Sequence, residues 1–221
     1  MLFYLYFLIP PLVAGLLAQA WVRRAFADGS KVEAVSGLTG AQVSRRMLDA
    51  GGLSDVNVEG IGGNLSDHYD PRSRTMRLSQ PVGGSSSVAA VAVAAHETGH
   101  AFQDARHEAG FRFRGALAPA TGFASQAWFP IFFIGFLLQA TNLALIGVAL
   151  FAAIVLFQLV TLPVEFGASR KAMVMLTDQG VISQGQAPVA RKVLNAAALT
   201  YVVATLAAIW QLAFLFMQTR R

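Results

Sequence analysis

Apolar residues run almost unbroken through four stretches of the chain, and the pattern between the first two is of a different kind. Leu2–Val22, Leu143–Val164 and Leu194–Met217 match or approach the roughly 20 apolar residues that cross a bilayer as helix. Gly122–Leu138 is shorter and carries Gln126 and Pro130, yet its run from Trp128 to Leu138 also reads as a span. Pro10 and Pro11 predict a kink in the first span. Ala18-Gln19-Ala20 looks like a signal-peptidase site, but no basic residue precedes the run and Arg23-Arg24 follows it, which fits an uncleaved anchor with its N-terminus outside.

Between the first two spans the periodicity shortens. Thr39-Gly-Ala-Gln42 is a capping-box pattern opening a helix over Ala41–Ala50 that Gly51-Gly52 ends. Val56–Glu59 reads as a short strand. Asp70-Pro71-Arg72-Ser73 is a turn signal between two strand-like pieces, predicting a hairpin. One of the serines at 85–87 caps a helix running on to Ala105. The expected fold is a membrane α-helical protein with four transmembrane helices and a small α+β domain. The expected organisation is a first span (1–22), the α+β domain (23–118), spans two and three (119–164), a helix and connecting loop (165–193), and a fourth span with tail (194–221).

Composition supports a membrane protein. The 221 residues are 55% hydrophobic and 13% charged, with mean hydropathy +0.52, too apolar for an ordinary soluble domain. The pI of about 10.1 invites a nucleic-acid reading, but the placement of charge offers a better one. Of the 17 Lys and Arg, all but Arg220 and Arg221 fall between spans one and two or between three and four, and the turn near Thr141-Asn142 has none. Four spans with an outside N-terminus put those loops in the cytoplasm, so no nucleic-acid partner is expected. The chain has no Cys, which excludes disulfides and thiolate metal ligands.

The chemistry lies in His96-Glu97-Thr98-Gly99-His100. Histidines four apart share one helix face and can reach a single zinc ion, and Glu97 beside them can act as general base on a water bound to that metal. Catalytic zinc takes three protein ligands. Asp104 and Glu108 sit too close along the same helix to turn back to the ion. His107 follows no glycine-made turn; Arg106 stands where a third histidine would. Glu165, at the end of the third span, is where a bare carboxylate is costly and normally has a partner or a function. Pairing with Arg170 is the alternative use. Two crossings separate it from the histidines, so it emerges on their side, and it is the expected third ligand. The strand Arg74–Ser79 is a possible edge for an extended peptide. His68, Tyr69, His107 and Arg170 are possible oxyanion donors, among which the sequence does not choose. Arg112 and Arg114 read as membrane-surface anchors.

The chain resembles the YugP-like membrane zinc metallopeptidases of bacteria through Leu65–Ser79, Ser87–Asp104 and Leu162–Ala172. It is similar, more distantly, to the HtpX and CAAX-processing membrane gluzincins, whose E-x-x-A-D ligand segment maps onto Glu165 and Ala168, with Ser169 where that group has aspartate. The resemblance implies one catalytic Zn2+ held by His96, His100 and Glu165 in a bacterial inner-membrane protein, with residues 23–118 as a zincin-like, zinc-binding peptidase domain on the cytoplasmic side, where 165–193 also lie. A serine brings no charge to orient a histidine, and Asp104 or Asp178 are the other residues that could. The expected function is zinc-dependent endopeptidase action on cytoplasmic or membrane-proximal polypeptides, with Glu97 catalytic and the lipid bilayer and polypeptide substrate as partners. A zinc-binding membrane scaffold without proteolytic activity is the alternative. A transporter is disfavoured because no charged relay crosses the spans. The sequence does not give an oligomeric state.

Overall fold

The computed structural model describes residues 2–64 and 66–219, with side chains from residue 7 onward. Leu65, within a stretch that carries the resemblance, and Arg220 and Arg221, the two basic residues outside the charge pattern, lie outside the described residues. The elements are α1 (Leu2–Gly29), α2 (Gly40–Ala50), β1 (Asn57–Ile61), β2 (His68–Asp70), β3 (Thr75–Ser79), α3 (Gln80–Gly83), α4 (Val88–Ala105), α5 (Ala109–Leu137), α6 (Thr141–Asp178) and α7 (Ala187–Gln218).

Local signals produce the local structure they predict. The Thr39 hydroxyl accepts from the Gln42 amide at 3.4 Å while the Gln42 side chain accepts from the Thr39 amide at 2.9 Å, closing the capping box of α2. Ser87 Oγ accepts from the Ala90 amide at 3.2 Å and starts α4. Strands β2 and β3 form the antiparallel hairpin, Tyr69 opposite Met76. The third strand joins differently: β1 runs parallel to β3, Val58 opposite Met76, giving the order β1-β3-β2. β3 is therefore the central strand, and the expectation of an open peptide-binding edge along Arg74–Ser79 is corrected. The pairing that closes that edge is non-local, so no hairpin signal announces it.

α4 is the rod on which the rest assembles. Its alanines let neighbours approach from every side, and residues from Val88 to Gln103 are almost all buried. One core joins Val43 and Met47 of α2 to Val88, Val91 and Ala95 of α4 and to Ala172 and Leu176 of α6. A second joins Met76 and Leu78 of β3 to Ala94, Ala101 and Phe102 of α4. Between the two histidines stands Gly99, where a Cβ would lie 2.8 Å from the Ala168 carbonyl oxygen and 3.1 Å from its Cα. The α4 and α6 backbones meet here, so a packing role accounts for a glycine in mid-helix. Gly99→Ala gains helix propensity of about 1 kcal/mol. It is nonetheless expected to destabilise, because overpacking against backbone costs about 1–3 kcal/mol. Thermal unfolding and zinc content, measured together, check this; an unchanged melting temperature with full zinc would contradict it.

Among the described residues, three helices, α5, α6 and α7, are long and apolar enough to cross a membrane. Their outward faces carry Phe123, Phe129, Phe133, Leu206 and Trp210, as lipid-facing surfaces do. α6, with 38 residues, is about 57 Å long and extends well beyond the roughly 30 Å of hydrocarbon. α1 covers the predicted first span and runs on through Pro10 and Pro11 to Gly29.

Candidate metal centre

α4 presents His96 and His100 on one face, and α6 lays Glu165 against both. Glu165 Oε2 lies 3.2 Å from His96 Nε2 and 3.6 Å from His100 Nε2. Ligand atoms from all three residues lie within 4.8 Å of one another, and they form a group that could hold a metal ion. Four ligands at 2.0–2.2 Å from a tetrahedral zinc stand about 3.4 Å apart, so the observed spacing suits this ion. Two neutral nitrogens and a carboxylate are also the donor types that zinc takes. His107, in a left-handed turn at φ 51°, lies outside this group among the described residues.

The second nitrogens of both rings are held. Gln103 Nε2 donates to the Val164 carbonyl at 2.8 Å, and a carbonyl can only accept. The amide orientation is thereby set, and Gln103 Oε1 faces His100 Nδ1 at 2.8 Å. Nδ1 must carry the proton, which leaves Nε2 with its lone pair toward Glu165. His96 Nδ1 lies 3.1 Å from Ser169 Oγ, so the serine occupies the position where an orienting carboxylate was in question. Asp104 and Asp178 do not fill it. Asp104 accepts the Tyr69 hydroxyl at 2.8 Å, and Asp178 ends α6 in solvent. Losing such an orienting partner costs about 10- to 100-fold in metal affinity. Gln103→Ala is expected to weaken zinc binding by that factor, as a competitive chelator titration would read; an unchanged affinity would show the contact to be incidental.

Glu97 lies beside the cluster without joining it. Its Oε2 accepts from the Tyr69 amide on edge strand β2 at 3.1 Å. Burial pushes its carboxyl up to about 7, the His96 ring pulls the other way, and the carboxylates of Glu165 and Asp67 add to the rise. Burial and the Asp104 carboxylate raise the Tyr69 phenol, which stays protonated and committed to Asp104.

The surroundings correct one sequence reading and add residues it missed. Arg114, read as a surface anchor, places its guanidinium 3.0 Å from Glu165 Oε1. Arg170, the partner first considered for Glu165, lines a separate groove, and the neighbouring Lys171 pairs with Glu108 at 2.9 Å. The pocket of about 280 Å³ in front of the cluster is lined by His68, Tyr69, Arg114, Phe157 and Tyr201 as well as the site residues. Neither Gln103 nor Tyr201 carries a sequence signal; both lie on helices whose rotation toward the site only packing sets.

Long apolar helices carrying a cluster of two imidazoles and one carboxylate define a helical membrane protein with a candidate zinc centre. Residues 4–220 match the family described as "Putative neutral zinc metallopeptidase". The chain is also 46% identical over 195 residues to the Bacillus subtilis (strain 168) protein named "Putative membrane protease YugP", covering 88% of this chain and 87% of that one. No solved structure matches it. The chain belongs to the family of YugP-like zinc metallopeptidases.

Proposed function

We propose that this chain is a membrane-embedded zinc endopeptidase acting on cytoplasmic or membrane-proximal polypeptides, with His96, His100 and Glu165 as metal ligands and Glu97 as general base. The observation that carries this reading is the convergence of two imidazole nitrogens and one carboxylate oxygen within 4.8 Å, with a glutamate alongside that stands outside the group and is oriented by the Tyr69 amide. A metal held only for structure has no need of that glutamate. Zinc, when bound, supplies Lewis-acid polarisation of a carbonyl and lowers the pKa of water to about 7.

The chain's own groups do the rest. Glu97, oriented by the Tyr69 amide, takes the proton from the attacking water and returns it to the leaving amine. Gln103 and Ser169 hold the histidine rings in the ligating orientation. Arg114 and Tyr201, which line the pocket with the ligands, are the donors this reading assigns to the oxygen that develops charge. Edge strand β2, beside Glu97, is better placed than β3 to receive an extended peptide.

In this reading α1, α5, α6 and α7 are four spans with the N-terminus outside, and the site faces the cytoplasm of a bacterial inner membrane. α5 leaves and α6 returns, so Glu165 arrives on the side of α4 about 36 Å along α6, just past the roughly 30 Å hydrocarbon. The direct test uses full-length protein in detergent with an unfolded polypeptide. Cleavage should stop with a chelator and return with added zinc. Cleavage indifferent to both would remove the metallopeptidase reading.

A further inference from the structure

The pocket in front of the zinc ligands does not end in the aqueous domain. Three of its lining residues, Arg114, Phe157 and Tyr201, also line a second cavity of about 540 Å³. This one lies among the apolar runs: Gly15 and Gln19 come from α1, Gln158 and Thr161 from α6, Thr200 and Ala204 from α7. Its size falls in the roughly 300–1,000 Å³ range of ligand sites. The helices around it form an open row. α1 packs on α7, α7 on α6 and α6 on α5, and among the described residues neither α1–α5 nor α1–α6 forms a comparable interface. The cavity is lined by residues of all four helices of that row, including α1 and α6, between which no such interface forms.

The lining chemistry separates two possible occupants. Most of the wall is small or apolar, yet Gln19, Gln158, Thr161, Thr200, Tyr201 and Arg114 stand in it. The exposed Gln19 and half-buried Gln158 carboxamides, which line this cavity rather than a packed core, make no hydrogen bond among the described residues. At membrane depth an unpartnered amide is costly, and polar side chains there mark substrate paths. An acyl chain has nothing to offer them. An extended polypeptide carries an N–H and a C=O at each residue, and away from water these must find partners. Apolar walls with spaced amides suit such a segment.

We propose that this cavity admits an apolar, membrane-inserted stretch of polypeptide sideways from the lipid, between α1 and α6, and leads it past Arg114 and Tyr201 to the zinc site. The proposal rests on the metallopeptidase reading and names its substrate class: polypeptides with a membrane-inserted segment adjoining the scissile bond.

The test uses the full-length E97Q chain in phospholipid vesicles, so that no turnover is required. A benzophenone side chain is placed at Ala204, in the cavity wall, or at Leu206, which is 61% exposed and outside it. The probe is a Leu/Ala peptide of about 20 residues with a polar, unstructured tail, long enough to span. Peptide adducts should form at position 204 well above those at 206. Equal labelling at both positions, or adducts with phospholipid alone at 204, overturns the proposal.

A second arm fills the cavity. A Cβ at Gly15 meets nothing within 4 Å, so Gly15→Leu adds bulk without breaking a helix contact. Gly15→Leu in the otherwise unaltered, zinc-loaded chain should cut cleavage of the tethered peptide about tenfold, with zinc content unchanged. Undiminished cleavage counts against the cavity. If the zinc-loaded chain cleaves no polypeptide at all, the peptidase reading falls, while the crosslinking result still decides what the cavity binds.

Discussion

Glu97→Gln is expected to leave one zinc per chain and to lower polypeptide cleavage by about 10²- to 10⁴-fold, the usual contribution of a general base. Glutamine has the shape of glutamate and keeps an oxygen to accept the Tyr69 amide, 3.1 Å away in the native chain, so edge strand β2 should stay in place. What is lost is the ability to take a proton. The carboxylate stands outside the His96–His100–Glu165 group, so metal content should not follow activity. Metal analysis and turnover measured on the same preparation separate the two. Turnover within a few-fold of the native chain would eliminate Glu97 as the base. Loss of zinc would show it to be a ligand instead.

Glu165→Ala should have the opposite signature, with zinc lost first and activity following. Two imidazoles alone leave the ion short of the three protein ligands usual at catalytic zinc, so affinity should fall by more than the roughly 100-fold seen on losing an orienting partner. The substitution also strands Arg114, whose guanidinium lies 3.0 Å from the Glu165 carboxylate. Arg114 keeps 29% of its side-chain surface exposed, so the cost should fall below the roughly 3–5 kcal/mol of a fully buried pair, and the measurement belongs on material shown to be folded and monodisperse. Arg114→Gln, combined with Glu165→Ala, removes the stranded charge and keeps the metal question separate. Full zinc occupancy in the folded double variant would pass the third position to Asp67 or Glu97, the carboxylates that share the pocket. Asp104 and Glu108 are already committed, to Tyr69 and Lys171.

How much of this was legible beforehand depended on how far each signal reaches. The capping box at Thr39, the Ser87 cap, the hairpin around Asp70 and the paired histidines of α4 each involve residues at most a few positions apart. Hydrogen-bond geometry and helix periodicity act at that range, so composition and spacing suffice. Glu165 is a longer inference. A carboxylate at the end of an apolar run is expensive, and the two crossings expected between it and the histidines would return it to their side; the structure brings it into one group with His96 and His100. The reading failed where the same logic had nothing local to hold. Arg114 stands in Arg112-Phe113-Arg114 at the foot of an apolar span, a local pattern that by itself reads as a surface anchor. Its pairing with Glu165, 51 positions away, exists because α5 and α6 pack with those residues at one height.

The sequence by itself determined the apolar runs, the metal-type residues and the register that puts two imidazoles on one helix face. These follow from hydropathy, turn chemistry and the 3.6-residue helical repeat. Only the tertiary structure decided that β3 is paired on both sides, that Gln103 and Ser169 meet the rings, and that Tyr201 and Arg114 line both the pocket at the site and a cavity among the apolar helices. Each of these depends on the rotation and height of one helix or strand against another. That is fixed by the fit of side chains distant in the chain, such as Gly99 meeting the backbone of Ala168, and no periodicity within a single element encodes it.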